Sequence, residues 1–148
     1  MPGVRGSRST PAARGSHFEH GADIGVRGVA PTKEGAFEQA AAAMFSIMTD
    51  LQTVRPGERI EVDCEAPDEE LLLVEWLNAL ISEAAVRHMF FARFQVRIDG
   101  TRLRGSAWGE PIDLARHQPG VEVKGATYTA LSVRQESSAW TAQCVVDV

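Results

Sequence analysis

The chain has 148 residues, 44% of them hydrophobic and 24% charged, enough for one globular domain with a sizeable core and too few for a second. Its formal net charge is −5, and residues 1–16 hold three arginines and no acid, so the rest is more acidic still. That balance excludes non-specific nucleic-acid binding by the whole surface, because such binding needs Lys and Arg to neutralise phosphates.

Residues 1–16 are mostly Gly, Ser, Pro, Ala and Arg and hold almost no bulky apolar side chain, so they read as a disordered tail before a domain over 17–148. From His17 to Val29, Phe18, His20, Ala22, Ile24 and Val26 share one parity and Glu19, Asp23 and Arg27 the other, which predicts one half-buried strand. On that reading Asp23 faces away from the core and His20 is a hydrogen-bonded core histidine. Gly21 and Gly25 permit a bulge or a close backbone approach.

Pro31-Thr32 opens a helix with Thr32 as N-cap, and Phe37, Ala40, Ala41, Met44, Phe45 and Met48 form its apolar stripe. Arg59–Ala66 alternates, with Ile60, Val62, Cys64 and Ala66 inward and acids outward. A second helix begins at Pro67-Asp68, and Leu72, Leu73, Trp76, Leu77, Leu80, Ile81 and Ala84 make its buried face. Ala92–Asp99 reads as a strand with Phe94, Val96 and Ile98 inward, followed by a hairpin turn at Asp99-Gly100 and a return strand through Leu103. Its polar parity carries Arg93, Arg97, Arg102 and Arg104, a local basic patch that could dock an acidic partner or RNA and is better read as a charged face that keeps the hairpin soluble.

Ser106–Pro119 reads as loop, and Val121–Lys124, Tyr128–Gln135 and Trp140–Val148 complete the strands. In the last strand Trp140, Ala142, Cys144, Val146 and Val148 share one face and Asp147 lies on the other. The fold class expected is α+β: a single domain, mostly antiparallel sheet, with two packed helices.

Nucleophile elbows, P-loops and dinucleotide fingerprints are absent from the sequence. His17, His20, His88 and His117 have no zinc spacing, and Cys64 and Cys144 are too few for a disulfide scaffold or a thiolate site. Asp23 and Asp147 are a weak signal by themselves, because isolated aspartates near strand ends commonly serve turns, but Asp147 is the penultimate residue and nearby main-chain oxygens and the terminal carboxylate would add to it as ligands. Hard oxygen donors suit calcium or magnesium. No apolar run approaches the roughly 18–20 residues of a membrane span, and residues 1–16 lack a signal peptide's apolar middle, so no membrane partner and a cytoplasmic location are expected.

Several blocks resemble the archease family in order and spacing. They are Phe18-Glu19-His20-Gly21-Ala22-Asp23-Ile24-Gly25, Ala36-Phe37-Glu38-Gln39-Ala40-Ala41 with Ala43-Met44-Phe45 and Met48-Thr49-Asp50, and Leu73-Val74-Glu75-Trp76-Leu77-Asn78. Ala107-Trp108-Gly109-Glu110-Pro111, Val123-Lys124-Gly125-Ala126-Thr127-Tyr128 and Val146-Asp147-Val148 follow. The resemblance implies a small α+β protein that is not itself an enzyme. It implies an activator of an RtcB-type RNA ligase in tRNA splicing or RNA repair, which promotes guanylylation and turnover and meets RNA only through the ligase. It further implies that Asp23, Asp147 and the main-chain oxygen of Val148 hold a divalent metal, calcium by the family's habit, and that Lys124 is the functional lysine, steering phosphate or nucleotide.

Two positions depart from the family's pattern: Gly21 stands where threonine is usual, and Gly35 where an acid is common. Gly21 removes a hydroxyl just before Asp23, and Gly35 lowers helix propensity. Two other functions fit the composition. A metal-dependent phosphohydrolase would use the same aspartates, with Lys124 as phosphate clamp. A general chaperone would need a large exposed apolar patch, which the patterning does not provide.

Overall fold

The computed structural model describes residues 12–148; most of the expected tail, residues 1–11, lies outside them. Two antiparallel sheets share two long helices. One sheet runs β1 (Arg14–His20), β2 (Asp23–Ala30), β8 (Ala139–Asp147) and β6 (Gly125–Ala126), with β7 (Ser132–Glu136) also paired to β8. The other runs β3 (Glu58–Glu65), β5 (Arg102–Pro111) and β4 (Met89–Asp99). Helices α1 (Lys33–Met48) and α2 (Glu69–Arg87) pack against strands of both sheets, and a short α3 (Leu114–His117) follows β5. The architecture is α+β, with the antiparallel strands and packed helices expected.

Local chemistry sets the helix ends. Thr32 caps α1 by accepting from Gly35 N at 3.0 Å, and Asp68 caps α2 by accepting from Leu71 N at 2.8 Å. The apolar stripe of α1 is buried throughout, as are Leu72, Leu73, Trp76, Leu77, Leu80 and Ala84 of α2. Both stripes are core. The indole of Trp76 joins the helices, its Nε1 donating to Phe37 O at 3.1 Å.

The single strand expected over His17–Val29 is instead a hairpin, and it begins at Arg14, inside the expected tail. Gly21 and Ala22 form a two-residue loop between the register partners His20 and Asp23. Gly21 has φ +60°, a left-handed conformation that a β-branched threonine resists, so glycine at this departure from the family pattern suits the turn. The loop also reverses parity. His17 and Gly15 pair with Val26 and Gly28 on the helix face, while Phe18 and His20 share the outer face with Asp23. His20 is therefore exposed, and the placement as a core histidine is corrected. His17 takes the anchoring role instead, with Nε2 at 2.7 Å from Ala43 O and 2.9 Å from Ser46 Oγ.

Close approach fixes the sheet–helix spacing at Gly28. A Cβ there would sit 2.0 Å from Ala36 O and 2.4 Å from Ala40 N, both main-chain atoms of α1. Gly28→Ala is expected to push the helix off the sheet at a cost of about 2–3 kcal/mol, read as a lower denaturant midpoint with the slope unchanged. Gly35 is similarly crowded, since a Cβ would lie 2.8 Å from Ala30 Cβ.

Ser106–Pro111, expected as loop, is the second half of β5 and pairs with both β3 and β4. Its small residues answer tight packing from outside the strand. A Cβ on Gly105 would meet the Trp76 ring at 2.2 Å, and one on Gly109 would meet Phe90 O at 1.8 Å beside the β4 bulge at Phe91/Arg93. Conversely, Val121–Lys124 forms no strand, and ladder pairing there is limited to Gly125–Ala126.

Burial pushes the thiols of Cys144 and Cys64 up to about 12 and about 11. Neither supplies a thiolate at neutral pH. Labelling by a thiol reagent is expected to be slow in the native protein and rapid in denaturant; fast native labelling would contradict the buried assignment.

Candidate functional site

The two predicted aspartates lie on adjacent strands. In the β2–β8 ladder the pairs are Val26↔Cys144, Gly25↔Val145 and Ile24↔Val146, and the same register one step further sets Asp23 opposite Asp147. Both belong to the face away from the helices, with Gly25 and Val145. Asp23 is half-buried and Asp147 exposed. Neither carboxylate joins an ion pair or a side-chain hydrogen bond among the described residues. Two unneutralised like charges facing across strands destabilise the pairing.

Their donor chemistry suits a hard cation. Directly opposed residues hold their Cβ atoms about 4.5–5.5 Å apart, a span that two carboxylates can close on one ion. Among the described residues no group of three or more His, Cys, Asp or Glu side chains converges, so further ligands would have to be main-chain oxygens or water. Val148 follows Asp147 directly, and its side chain packs against the core.

Lys124 meets this rim through its main chain, donating from N to Asp147 O at 2.8 Å. It also lines an apolar groove of 430 Å³ with Met48, Ile81, Ala85, Phe90 and Pro119. Asp23 and Asp147 do not line that groove, nor the one described below on the second sheet. The acidic rim is an open edge.

Residues that sequence reasoning left without a role hold the rim in place. Asn78 on α2 accepts from Ala126 N through Oδ1 at 2.8 Å, fixing β6 beside the end of β8. Thr127 clamps the same end: its N and Oγ1 both donate to Val145 O, at 3.0 and 2.8 Å. The segment running to Lys124 is tied to α1, with Thr49 Oγ1 donating to His117 O at 2.7 Å and Gly120 N to Met48 O at 2.7 Å.

Glu110 secures the start of that segment. It accepts from Arg116, from Arg55 N at 2.7 Å and from His117 Nε2 at 2.9 Å. His117 Nδ1 accepts from Asp113 N at 2.9 Å, so the ring proton sits on Nε2. The Arg116 guanidinium, with help from Arg55 N and His117, holds the Glu110 carboxyl down to about 2. This depression stabilises the fold fully above the ordinary carboxylate range and is lost as pH falls through about 2. Glu110→Gln is therefore expected to lower stability at neutral pH and to flatten the acid limb of the unfolding curve below pH 4.5. An unchanged acid limb would assign that limb to other carboxylates.

Two antiparallel sheets sharing two helices, with an open acidic rim on one sheet, define this as a small α+β domain of a recognisable architecture. The model of the Archease protein family matches residues 16–148. Protein archease of Thermococcus gammatolerans is 39% identical over 140 residues, covering 91% of this chain and 99% of that protein. Protein archease of Sulfurisphaera tokodaii is 38% identical over 133 residues, covering 88% and 96%. The solution structure of Methanobacterium thermoautotrophicum protein 1598 aligns with a TM-score of 0.80 at 31% identity, over 90% of this chain and 98% of that one. A Thermotoga maritima crystal structure, titled an archease and possible chaperone, shares the fold with a TM-score of 0.60 at 19% identity, over 88% and 94%. The chain belongs to the archease family.

No helix among the described residues is long and apolar enough to cross a membrane.

Proposed function

We propose that this protein activates an RtcB-type RNA ligase in tRNA splicing or RNA repair, as a protein cofactor rather than an enzyme. The observation that carries the reading is the rim itself: two carboxylates on facing register positions, neither of them in an ion pair or a side-chain hydrogen bond among the described residues. A site of that form is complete only against another surface. Asp23, Asp147 and the main-chain oxygen of Val148 would hold a divalent cation; the oxygen donors suit calcium or magnesium, and the resemblance to the family implies calcium. Such an ion would supply positive charge for phosphate groups at the partner's active site. The chain's own residues would position it: Asn78 and Thr127 fix the strand ends, and Lys124, tied to Asp147 through its main chain, would be the nearby lysine that steers phosphate.

The test is ligase guanylylation and multiple turnover with purified partner, comparing wild type, Asp23→Ala and Lys124→Ala. Both variants are expected to lose most of the activation. Equal activation by all three would overturn the reading, and hydrolysis of a phosphorylated substrate with no ligase present would favour a phosphohydrolase instead.

A further inference from the structure

The outer face of the three-stranded sheet carries a charge arrangement that neither the core nor the acidic rim uses. Arg59 and Asp63 from β3, Arg104 and Trp108 from β5, and Arg93 and Arg97 from β4 share that face. Arg97 and Arg104 are direct register partners. Like charges in that relation oppose the pairing of their strands. Asp63 does little to relieve them: it is engaged by Arg102 at 2.9 and 3.1 Å and reaches Arg104 only at 3.9 Å. Arg97 joins no ion pair among the described residues.

Between these arginines lies a groove of 410 Å³, lined also by Glu61, Gln95 and Ser106; Arg59 is paired there with Glu61 at 2.8 Å, which leaves Arg97 and Arg104 as its less neutralised cations. Arg59 donates to Ser106 Oγ through Nε at 3.3 Å and Nη2 at 3.1 Å, which leaves the serine's own hydrogen to donate elsewhere. Beside the groove Trp108 is stacked by two guanidinium groups, Arg93 at 4.7 Å and Arg59 at 5.5 Å from the ring centroid. The groove thus offers guanidinium forks, an amide and a hydroxyl as donors, next to a layer of flat groups.

We propose that this face binds the phosphodiester backbone of a single RNA strand directly, a departure from the expectation that RNA is met only through the ligase. Arg97 and Arg104 take the oxygens of a phosphate, whose charge removes their mutual repulsion, and Ser106 and Gln95 add donors. An adjoining base stacks on the outer guanidinium plane of this layer, Trp108 itself being covered by Arg59 and Arg93. Phosphate recognition stands on the geometry alone; the choice of RNA rests on the proposed activation of an RNA ligase. An acidic protein surface would satisfy the arginines but brings no flat base to that layer. Because Glu61 borders the groove and the body is acidic, binding is expected to be weak and steeply salt-dependent.

The experiment measures fluorescence anisotropy of a labelled single-stranded RNA with the full chain and no ligase, across a salt series. Wild type is expected to bind at low salt, and Arg97→Gln/Arg104→Gln to bind roughly tenfold more weakly with the salt slope reduced by about one unit. The double variant should melt at or above the wild-type temperature, since it loses a like-charge pair, so weaker binding cannot be ascribed to unfolding. Equal RNA binding by the two proteins, or none at low salt, overturns the proposal. Competition by inorganic phosphate at the same phosphate concentration would reduce the groove to a simple anion site and overturn the strand. Competition by polyglutamate equal to that by unlabelled RNA would mark an acidic-protein surface and overturn it too. With no ligase in the assay, none of these outcomes depends on whether the Asp23–Asp147 rim activates a ligase.

Discussion

Replacing Trp76 by alanine is expected to cost this protein about 3–5 kcal/mol, the range for emptying a buried aromatic site. Three contacts converge on the indole. It is fully buried between α1, α2 and β5, it packs edge-on against Phe94 with centroids 6.4 Å apart, and its ring occupies the space that a Cβ on Gly105 would fill. The substitution also leaves Phe37 O without its donor in the core, which adds a penalty of about 1–3 kcal/mol where no water reaches it. A drop in melting temperature on the order of 10 °C follows for a domain of this size. Trp76→Phe separates the two effects, because it keeps most of the ring and removes the N–H. If Trp76→Phe destabilised as much as Trp76→Ala, the hydrogen bond between the helices would be the dominant contribution.

The second large effect concerns the acidic rim and is read as linkage between cation binding and stability. A ligand that binds only the folded state stabilises it by about 2.7 kcal/mol at one hundred times its dissociation constant. Wild type is therefore expected to melt at higher temperature as calcium is added, and Asp23→Asn/Asp147→Asn to show no calcium-dependent shift. Without calcium the order reverses. The double variant loses a facing pair of like charges, so it should be as stable as wild type or slightly more so. A calcium shift that survives in the variant would place the cation elsewhere.

Periodicity made much of the architecture legible. The stripes Phe37–Met48 and Leu72–Ala84 repeat at helical spacing because each helix buries one face, and Ile60, Val62 and Cys64 alternate because β3 has one face against the core. The first strand was harder, for a definable reason. A two-residue loop makes register partners differ in parity, so a reading that carries one parity from Phe18 to Val26 places half the hairpin on the wrong face. Phe18 illustrates it: its ring covers Gly25 on the outer face and lies under Arg27, with 4.7 Å from ring centroid to guanidinium carbon. The latter half of β5 was hidden differently, because Gly105 and Gly109 look like loop until Trp76 and the Phe90 main chain occupy the space beside them.

Of the candidate site, the positions of Asp23 and Asp147 on outward faces followed from alternation. Their opposition did not, because register between segments so distant in sequence is set by pairing in three dimensions. The Glu110–Arg116–His117 cluster was invisible for a related reason. Its members lie within a stretch whose local pattern gives no period, and their partners, Arg55 and the Thr49 hydroxyl, lie 55 and 68 residues away in sequence.

Strand β8 is paired along both edges, to β2 on one side and to β6 and β7 on the other, and it carries Asp147 at its end. Closing β2 onto it joins segments from near opposite ends of the sequence, a step whose loop-closure entropy must be met before its contacts return anything. Amide exchange should accordingly be slowest along Ala142–Val146, opening only with the whole molecule. The acidic rim then reports on folding itself: the two carboxylates face each other only once the most distant pairing in the chain has formed.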